Sequence, residues 1–250
     1  MNAQHSKADI HIHSTYSDGM AGVAAILEHV ARETDLRLIA ITDHDTIAGA
    51  LLARQIAREY GVEVIVGEEV STAEGHLLAL FIDRWLPPGR PAAETIAAVH
   101  AQGGLCVAAH AFDPLVPSLG SAGLAARCTS VRAGEWPLDG VEAFNAGSWI
   151  AASNRRADAF GAALGLARCG GSDSHNLATV GRGYTLFPGA SADDLYRAIV
   201  RGQTAPGGAR WRFQDYLEIA TYRAKGRWQR GRMAPQVEAP VLAEVPSRVL

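Results

Sequence analysis

The strongest constraint on the fold of this chain is a regular alternation of short apolar runs with longer segments of helical pattern. Residues 36–42 and 62–70 are nearly continuous apolar runs, which are typical of strands buried on both faces. Similar runs give seven predicted strands in all, the other five at 8–13, 76–82, 105–109, 141–144 and 167–170. The helical patterns cover 22–33, 46–60, 92–102, 150–164 and 192–201.

This alternation indicates an α/β fold. Strands and helices in turn imply a parallel sheet with right-handed crossovers. Seven strands in 250 residues predict a closed or nearly closed β/α barrel, with an open doubly wound sheet as the alternative. We assign residues 1–207 to the barrel domain. Residues 208–250 are expected to form a C-terminal helix and tail, packed on the barrel or extending from it.

Composition excludes several classes of protein. With 48% hydrophobic residues the body of the chain is not disordered, and a net charge of -3 argues against a globally basic nucleic-acid binder. The three cysteines (Cys106, Cys128 and Cys169) lack the spacing of a disulfide framework or a cysteine-type zinc site. The longest apolar run, 77–82, is too short to cross a bilayer. We therefore expect a cytoplasmic protein with no membrane partner.

Histidines and carboxylates follow most of the predicted strands at their C-terminal ends, the edge where parallel β/α folds place their functional sites. They are His11, His13, Asp18, Asp43, His44, Glu68, Glu69, His110, Asp173 and His175. Residues two apart on a strand share a face, so His11 and His13 can bind one ion. Imidazole and carboxylate groups together are ligands for zinc, manganese or iron. The pattern therefore predicts a metal site at this rim.

The two adjacent glutamates at the end of the third strand are expected to differ in role. We expect Glu68 to lie where a carboxylate can bridge two cations, and Glu69 to face solvent or a partner at the barrel edge. His76 opens the fourth strand, and a hairpin would bring it beside the end of the third. Asp43 is a candidate to orient a neighbouring histidine.

The order and the residues of these motifs resemble those of the PHP superfamily, which is named for polymerase and histidinol phosphatase. The resemblance covers residues 8–207 and is carried by HIHSTYSDG, ITDHDT, GEEV followed by GHLLAL, AAHAFDP, VEAFNAG, and GSDSH followed by VGRGYT. It implies a distorted (β/α)7 barrel with its metal site at the C-terminal rim of the strands. It also implies a metal-dependent phosphoesterase that holds two or three divalent ions.

The resemblance further implies a ligand set for these ions. One ion would be held by His11, His13, Glu68 and Asp173, a second by Glu68, His76 and His110, and a third by Asp18, His44 and His175. Glu68, Asp18 and His175 are the expected catalytic residues. The acid at position 18 resembles the nucleotide-phosphatase branch of the family.

The expected reaction is hydrolysis of a phosphomonoester or phosphodiester of a small molecule or nucleotide by a hydroxide that bridges two ions. Arg182 and Arg155 are the candidate phosphate contacts, with Arg156 beside Arg155. Three alternatives stay open: an exonuclease acting on short oligonucleotides, a metal-dependent amidohydrolase on a non-phosphate substrate, and a module of a larger polymerase assembly. The basic stretch 209–232 could track nucleic acid, but an amphipathic helix covering the barrel is favoured. The expected partner is therefore a small phosphorylated substrate.

Overall fold

The computed structural model describes residues 5–120 and 138–230, which contain one nine-stranded sheet and six α-helices. The strands are β1 (His5–Asp9), β2 (Leu38–Ile41), β3 (Glu63–Ser71), β4 (His76–Leu80), β5 (Leu105–Ala108), β6 (Gly140–Asn145), β7 (Ala167–Gly171), β8 (Gly183–Pro188) and β9 (Ala205–Gly208). The helices are α1 (Val23–Glu33), α2 (Ala48–Ile56), α3 (Ala92–His100), α4 (Ala151–Leu164), α5 (Ala192–Val200) and α6 (Phe213–Arg230).

The sheet rolls into a nearly closed barrel. Its strand order is β7-β6-β5-β4-β3-β2-β1-β8-β9. The chain just beyond β1 meets the chain just beyond β7, where Ile12 forms a parallel bridge with Ser174 and the amide of His13 donates to the carbonyl of Ser174 at 2.9 Å. The predicted α/β barrel is confirmed by this closure.

Two features depart from a uniform set of seven parallel strands. β4 runs antiparallel to both β3 and β5, because a tight hairpin returns the chain after Ser71 and pairs that residue with His76. β8 and β9 add an antiparallel pair beside β1. This pair was not predicted from the sequence, because β9 consists of Ala-Pro-Gly-Gly, and glycine and proline are depleted in natural strands.

The central strands are buried on both faces, and successive residues belong to different apolar clusters. On β3, Val64 and Val66 belong to the cluster that includes the core residues of α1 to α4. Ile65 belongs to a second cluster with inward residues of the other strands, such as Leu78 and Leu38. Alternate residues of β3 therefore face the barrel interior and the helical layer.

The C-terminal part of the chain includes a long helix. α6 begins at Phe213 and ends at Arg230, and it lies over the mouth of the barrel. The expected tail at 235–250 and Cys128 lie outside the described residues, and the domain division at 207/208 stays a prediction. Among the described residues, none of the helices has both the length and the apolar character that a bilayer span requires.

Candidate metal centre

Most of the histidines and carboxylates singled out in the sequence converge at one mouth of the barrel, and Glu68 and Asp43 are the exceptions. They come from the segments that follow β1, β2, β5 and β7, from the end of β3 and from the start of the antiparallel β4. Seven of them line a cavity of about 650 Å³: Asp18, His44, Glu69, His76, His110, Asp173 and His175. His11 and His13 are buried and contact the carboxylates of this group.

Glu69 is the centre of the cluster. Five imidazole nitrogens surround its carboxylate: those of His76 and His110 lie 2.8 Å from Oε1, and those of His11, His13 and His44 lie 3.2 Å from Oε2. A carboxylate offers about four lone-pair positions, so five protonated imidazoles exceed what it can accept. The two carboxylate oxygens face different histidines: Oε1 faces His76 and His110, and Oε2 faces His11, His13 and His44.

This donor set fits divalent metal ions. Two ligands on one tetrahedral ion are about 3.3 Å apart, which is close to the spacing of the nitrogens and oxygens here. Among the described residues, His13 Nδ1, Asp18 Oδ1 and His110 Nδ1 are buried polar atoms without a hydrogen-bond partner. Nitrogen and oxygen donors without thiolates suit zinc, manganese or iron.

A second carboxylate group lies beside the first. Asp173 Oδ1 lies 3.2 Å from His13 Nε2 and 3.5 Å from His11 Nε2. Asp18 Oδ1 lies 3.2 Å from His175 Nε2. Within the described part of the chain, four sets of residues are compact enough to hold an ion: His13, Asp18, His44 and His175; His11, His13 and Asp173; His11, Glu69 and His110; and His44, Glu69 and His76.

The expected positions of the two glutamates are reversed in the structure. Glu69, expected to face solvent or the barrel edge, is 1% exposed and points into the mouth. Glu68 lies outside the cluster, where its Oε2 accepts a hydrogen bond from the amide of Leu86 at 3.0 Å. The cause is the alternation of β3, in which neighbouring residues take opposite faces. The expectation that Glu68 lies within the cluster is therefore wrong, and Glu69 is the glutamate that faces the histidines.

The electrostatics of the two glutamates also differ. Burial raises the pKa of Glu68 to about 8, since its environment supplies one backbone donor and the negative charge of Asp45. Burial would also raise the pKa of Glu69, but His11 and the other surrounding histidines outweigh it and hold that pKa well below its usual value. Glu69 is therefore a carboxylate at neutral pH, as a metal ligand must be.

The histidines of the cluster also differ in the direction of their pKa shifts. Burial lowers the pKa of His13, but hydrogen bonds to Asp173 and Glu69 outweigh it and raise the pKa to about 9. Burial lowers the pKa of His44 to about 4, against the attraction of Glu69. A neutral His44 has a lone pair for an ion, whereas His13 must lose a proton to bind one.

Glu142 is a buried residue of the site that the sequence analysis did not single out. Its Oε1 lies 3.0 Å from His11 Nδ1, and its Oε2 accepts from the amide of His110 at 2.7 Å and from Asn145 Nδ2 at 2.8 Å. Glu142 therefore directs His11 Nε2 towards Glu69. The available signal was an acid inside an apolar strand. Gly171 leaves room for this carboxylate, because a Cβ there would lie 2.5 Å from Glu142 Oε1.

Asp43 does not orient a histidine as expected. Its Oδ1 accepts from the amide of Ser14 at 2.7 Å and from Ser17 Oγ at 2.6 Å, and its Oδ2 accepts from Ser14 Oγ at 2.7 Å. These bonds fix the loop between His13 and Asp18. Asp43 therefore acts on the site by ordering a loop.

Two residues of the cluster have strained backbone conformations. His110 has φ 29° and Asp173 has φ 53°, in the region that favours glycine. Each costs of order 1–3 kcal/mol, a strain that native structures keep mainly at functional sites. Each residue lies two positions after the end of a strand, where the chain turns away from the barrel.

The outer wall of the cavity is aromatic and comes largely from the C-terminal part of the chain. Tyr216 of α6 packs edge-on against Trp149, with ring centroids 4.7 Å apart, and against Trp211 at 5.1 Å. Trp211 in turn packs against His175 at 6.0 Å and donates from Nε1 to the carbonyl of Ser172. This wall joins the metal-type residues to α6.

The arginines expected to contact phosphate do not line this cavity. Arg155 is exposed on α4, Arg156 lies over the ring of Phe112, and Arg182 follows the short 3-10 turn Leu177–Thr179. The cavity is lined instead by Arg223 of α6, whose Nη2 lies 2.6 Å from Asp18 Oδ2 and 2.8 Å from His175 Nε2. Arg223 lies far along the chain from the motifs that supply the histidines and carboxylates, so the sequence around it did not indicate this contact.

Comparison with protein families gives two matches along the chain. The PHP domain family matches residues 9–116, and the PHP-associated family matches residues 151–204. An uncharacterized protein of Methanocaldococcus jannaschii is 37% identical over 151 residues, which is 56% of this chain and 82% of that protein.

Two further proteins are similar to this chain, one in sequence and one in structure. A 5'-3' exoribonuclease of Haemophilus influenzae is 41% identical over 85 residues, which is 32% of this chain and 31% of the exoribonuclease. Among solved structures, a two-domain protein of Bacteroides vulgatus, described as containing a predicted PHP-like metal-dependent phosphoesterase, superposes with a TM-score of 0.69 at 20% identity. That superposition covers 83% of this chain and 66% of the other.

Proposed function

The chain belongs to the PHP family, and from this premise we propose that it is a metal-dependent hydrolase of a small phosphate ester. The observation that carries the proposal is the carboxylate of Glu69, which lies within 3.2 Å of five imidazole nitrogens at the mouth of the barrel. A cluster of this kind, beside a cavity of about 650 Å³, can hold ions and admit a small molecule.

We assign the ligands of two ions from the two faces of Glu69. Oε2 and the residues near it would hold one ion: His11, His13 and Asp173. Oε1 would share a second ion with His76 and His110. Asp18, His44 and His175 form a third position, and zinc, manganese and iron all suit these donors. When bound, such ions activate water and neutralise charge on a phosphate.

The residues around the ions have distinct roles in this proposal. Glu142 holds His11 in the orientation that presents Nε2 to the first ion. Asp18 and His175 line the cavity and are retained as candidate catalytic residues. Burial would raise the pKa of Asp18, but the neighbouring imidazoles of His175, His13 and His44 outweigh this and lower the pKa, so Asp18 stays ionised. An ionised Asp18 is a ligand or an acceptor, not a general acid at neutral pH.

The cavity wall indicates which substrates fit. Trp149 is 52% exposed and Leu115 is also exposed, so an apolar or planar group can cover them when the phosphate reaches the metal centre. We infer that the substrate is a phosphate ester of a small molecule with such a group. The activity of the Haemophilus influenzae relative makes a short oligonucleotide the second candidate, since its bases could stack on the same wall.

The test is a substrate screen on protein loaded separately with zinc, manganese or ferrous ions. It covers phosphomonoesters, phosphodiesters, short oligonucleotides and amide substrates. We expect phosphate release by the wild type and by Glu68→Gln, and its loss in Glu69→Gln. Fully loaded protein that cleaves amides but no phosphate ester would contradict the proposal and favour the amidohydrolase alternative. A clear preference for oligonucleotides would favour the exonuclease.

A cytoplasmic location remains part of this proposal. It rests on cysteine usage, and Cys106 and Cys169 are buried free thiols. Burial raises the pKa of both thiols, which makes them poor nucleophiles and poor metal ligands.

A further inference from the structure

We propose that the guanidinium of Arg223 takes the place of a third cation, so that the chain holds two metal ions and an arginine where three ions could fit. This inference rests on the metal centre proposed above. Its basis is one contact: Arg223 Nη2 lies 2.6 Å from Asp18 Oδ2 and 2.8 Å from His175 Nε2. Asp18 and His175 belong, with His13 and His44, to a set of residues compact enough to hold an ion.

The hydrogen bonds of His175 determine which of its nitrogens is an acceptor. Nδ1 lies 2.8 Å from the carbonyl oxygen of Asp173, which can only accept, so Nδ1 carries the proton. Nε2 therefore has the one lone pair of the ring. A guanidinium has only donors, and Arg223 uses that lone pair. An ion at the third position needs the same lone pair, so the ion and the arginine exclude each other at His175.

The carboxylate of Asp18 is shared in the same way. Its Oδ2 is paired with Arg223, while its Oδ1 lies 3.2 Å from His175 Nε2 and 3.8 Å from His13 Nδ1. The arginine is about half exposed and Asp18 is 36% exposed, and pairs of this exposure contribute little free energy. Competition with Arg223 should therefore weaken binding of a third ion without abolishing it.

The helix that carries Arg223 is anchored beside the site. Ile219, four residues earlier and on the same face, is 4% exposed, and Glu218 accepts a hydrogen bond from Asn176 Nδ2 at 2.9 Å. Tyr216 packs against Trp149 and Trp211. Because these contacts hold α6, little further order is needed to bring Arg223 to Asp18. Arg223 lines the cavity. The guanidinium donors that do not contact Asp18 or His175 can therefore bind phosphate oxygens.

The test is a titration of metal-free protein with Mn²⁺, followed by calorimetry and by metal analysis after dialysis. Arg223→Met keeps the apolar stem and removes every donor, and Lys225→Met removes one positive charge from the same helix as a matched control. We expect two strong sites in the wild type and in Lys225→Met. Arg223→Met should bind a third Mn²⁺ about tenfold more tightly than the wild type does, a difference of about 1.4 kcal/mol. Arg223→Lys should lie between them.

The position of the third ion gives a second readout that is independent of activity. Anomalous scattering from Mn²⁺-soaked crystals of Arg223→Met should show a peak between Asp18, His44 and His175. Equal stoichiometry and affinity in the wild type and Arg223→Met would overturn the role of Arg223 while leaving the metal centre intact. Absence of Mn²⁺ binding in every variant would overturn the metal centre and this inference together. Circular dichroism checks that α6 is retained in each variant.

Discussion

Glu68 and Glu69 are adjacent, chemically identical and both buried, yet they lie in two different regions of the barrel. Glu69 lies at the inner mouth and is surrounded by five histidines, which lower its pKa. Glu68 lies on the outer side of β3, where it has one backbone donor and a raised pKa. Burial alone therefore does not determine the charge of a carboxyl group. The partners that the fold brings to each side determine it.

The largest expected effect comes from removing the charge at the inner mouth. In Glu69→Gln the amide cannot bridge two ions with a full negative charge, so bound metal should fall below one equivalent and turnover should fall by orders of magnitude. Metal analysis and steady-state kinetics measure both. Glu68→Gln is the matched control and should keep metal and turnover. Equal losses of bound metal and turnover in the two variants would show that Glu68 and Glu69 do not differ in role.

The next effect concerns the histidines that face Glu69 Oε1. His76→Ala and His110→Ala should each remove one ion, retain the other and lower turnover roughly 100-fold or more, because both cations are needed to activate water. The double variant should be little worse than either single variant, since the same ion is lost each time. Full metal content and near-normal turnover in His76→Ala would make His76 a structural residue of β4.

A smaller effect on metal affinity is expected at Glu142, which contacts the proposed ligand His11. Glu142→Gln presents an amide where both carboxylate oxygens now accept hydrogen bonds, so the orientation of His11 should loosen. Metal affinity should fall roughly 10- to 100-fold while the fold is kept. Competition with a chelator measures the dissociation constant, and Glu63→Gln, an exposed glutamate of β3, is the control. Unchanged affinity would restrict Glu142 to a packing role.

The substitution with the smallest expected effect on activity lies at the outer side of β3, where Glu68→Gln should leave turnover unchanged and raise the free energy of unfolding. The folded-state pKa of Glu68 is about 8, above its usual value of 4.5, so the folded protein holds a proton that the unfolded chain releases. The wild type should therefore lose stability as pH rises from about 4.5 to 8, by roughly 3 kcal/mol at pH 7. Glu68→Gln lacks this titration and keeps an acceptor for the amide of Leu86.

Urea unfolding at pH 5.5 and pH 8 tests this last prediction. The free energy of unfolding of Glu68→Gln should exceed that of the wild type, and the excess should be larger at pH 8. An equal difference at the two pH values would show that Glu68 is not a buried carboxyl with a raised pKa.

Much of the fold could be read from the sequence because its signals are local. The helices α1, α3 and α4 begin and end within about two residues of their predicted limits, because each is an amphipathic segment between strands. The β3–β4 hairpin and the position of His76 beside the end of β3 also followed from the pattern. β9 did not, because its pairing with β8 depends on tertiary contacts and not on its own residues.

The candidate site was predictable to the level of the rim but not to the level of every side chain. The segments after β1, β2, β5 and β7 place His11, His44, His110 and Asp173 together, as the parallel arrangement requires. Glu142 was missed because a single acid in an apolar strand does not reveal its partner. Arg223 was missed because it is one of several basic residues in the stretch 209–232 and lies 205 positions from Asp18 in the sequence.

The sequence by itself determined the alternation of strands and helices, the family resemblance and the edge of the barrel where the polar residues meet. Only the tertiary structure decided between Glu68 and Glu69. A strand that is apolar on one face alone reveals its orientation through alternation, but β3 is buried on both faces from Val64 to Val70, so its residues do not alternate between apolar and polar. Which glutamate faced the histidines therefore depended on the register of β3 within the closed barrel, a property of the whole sheet.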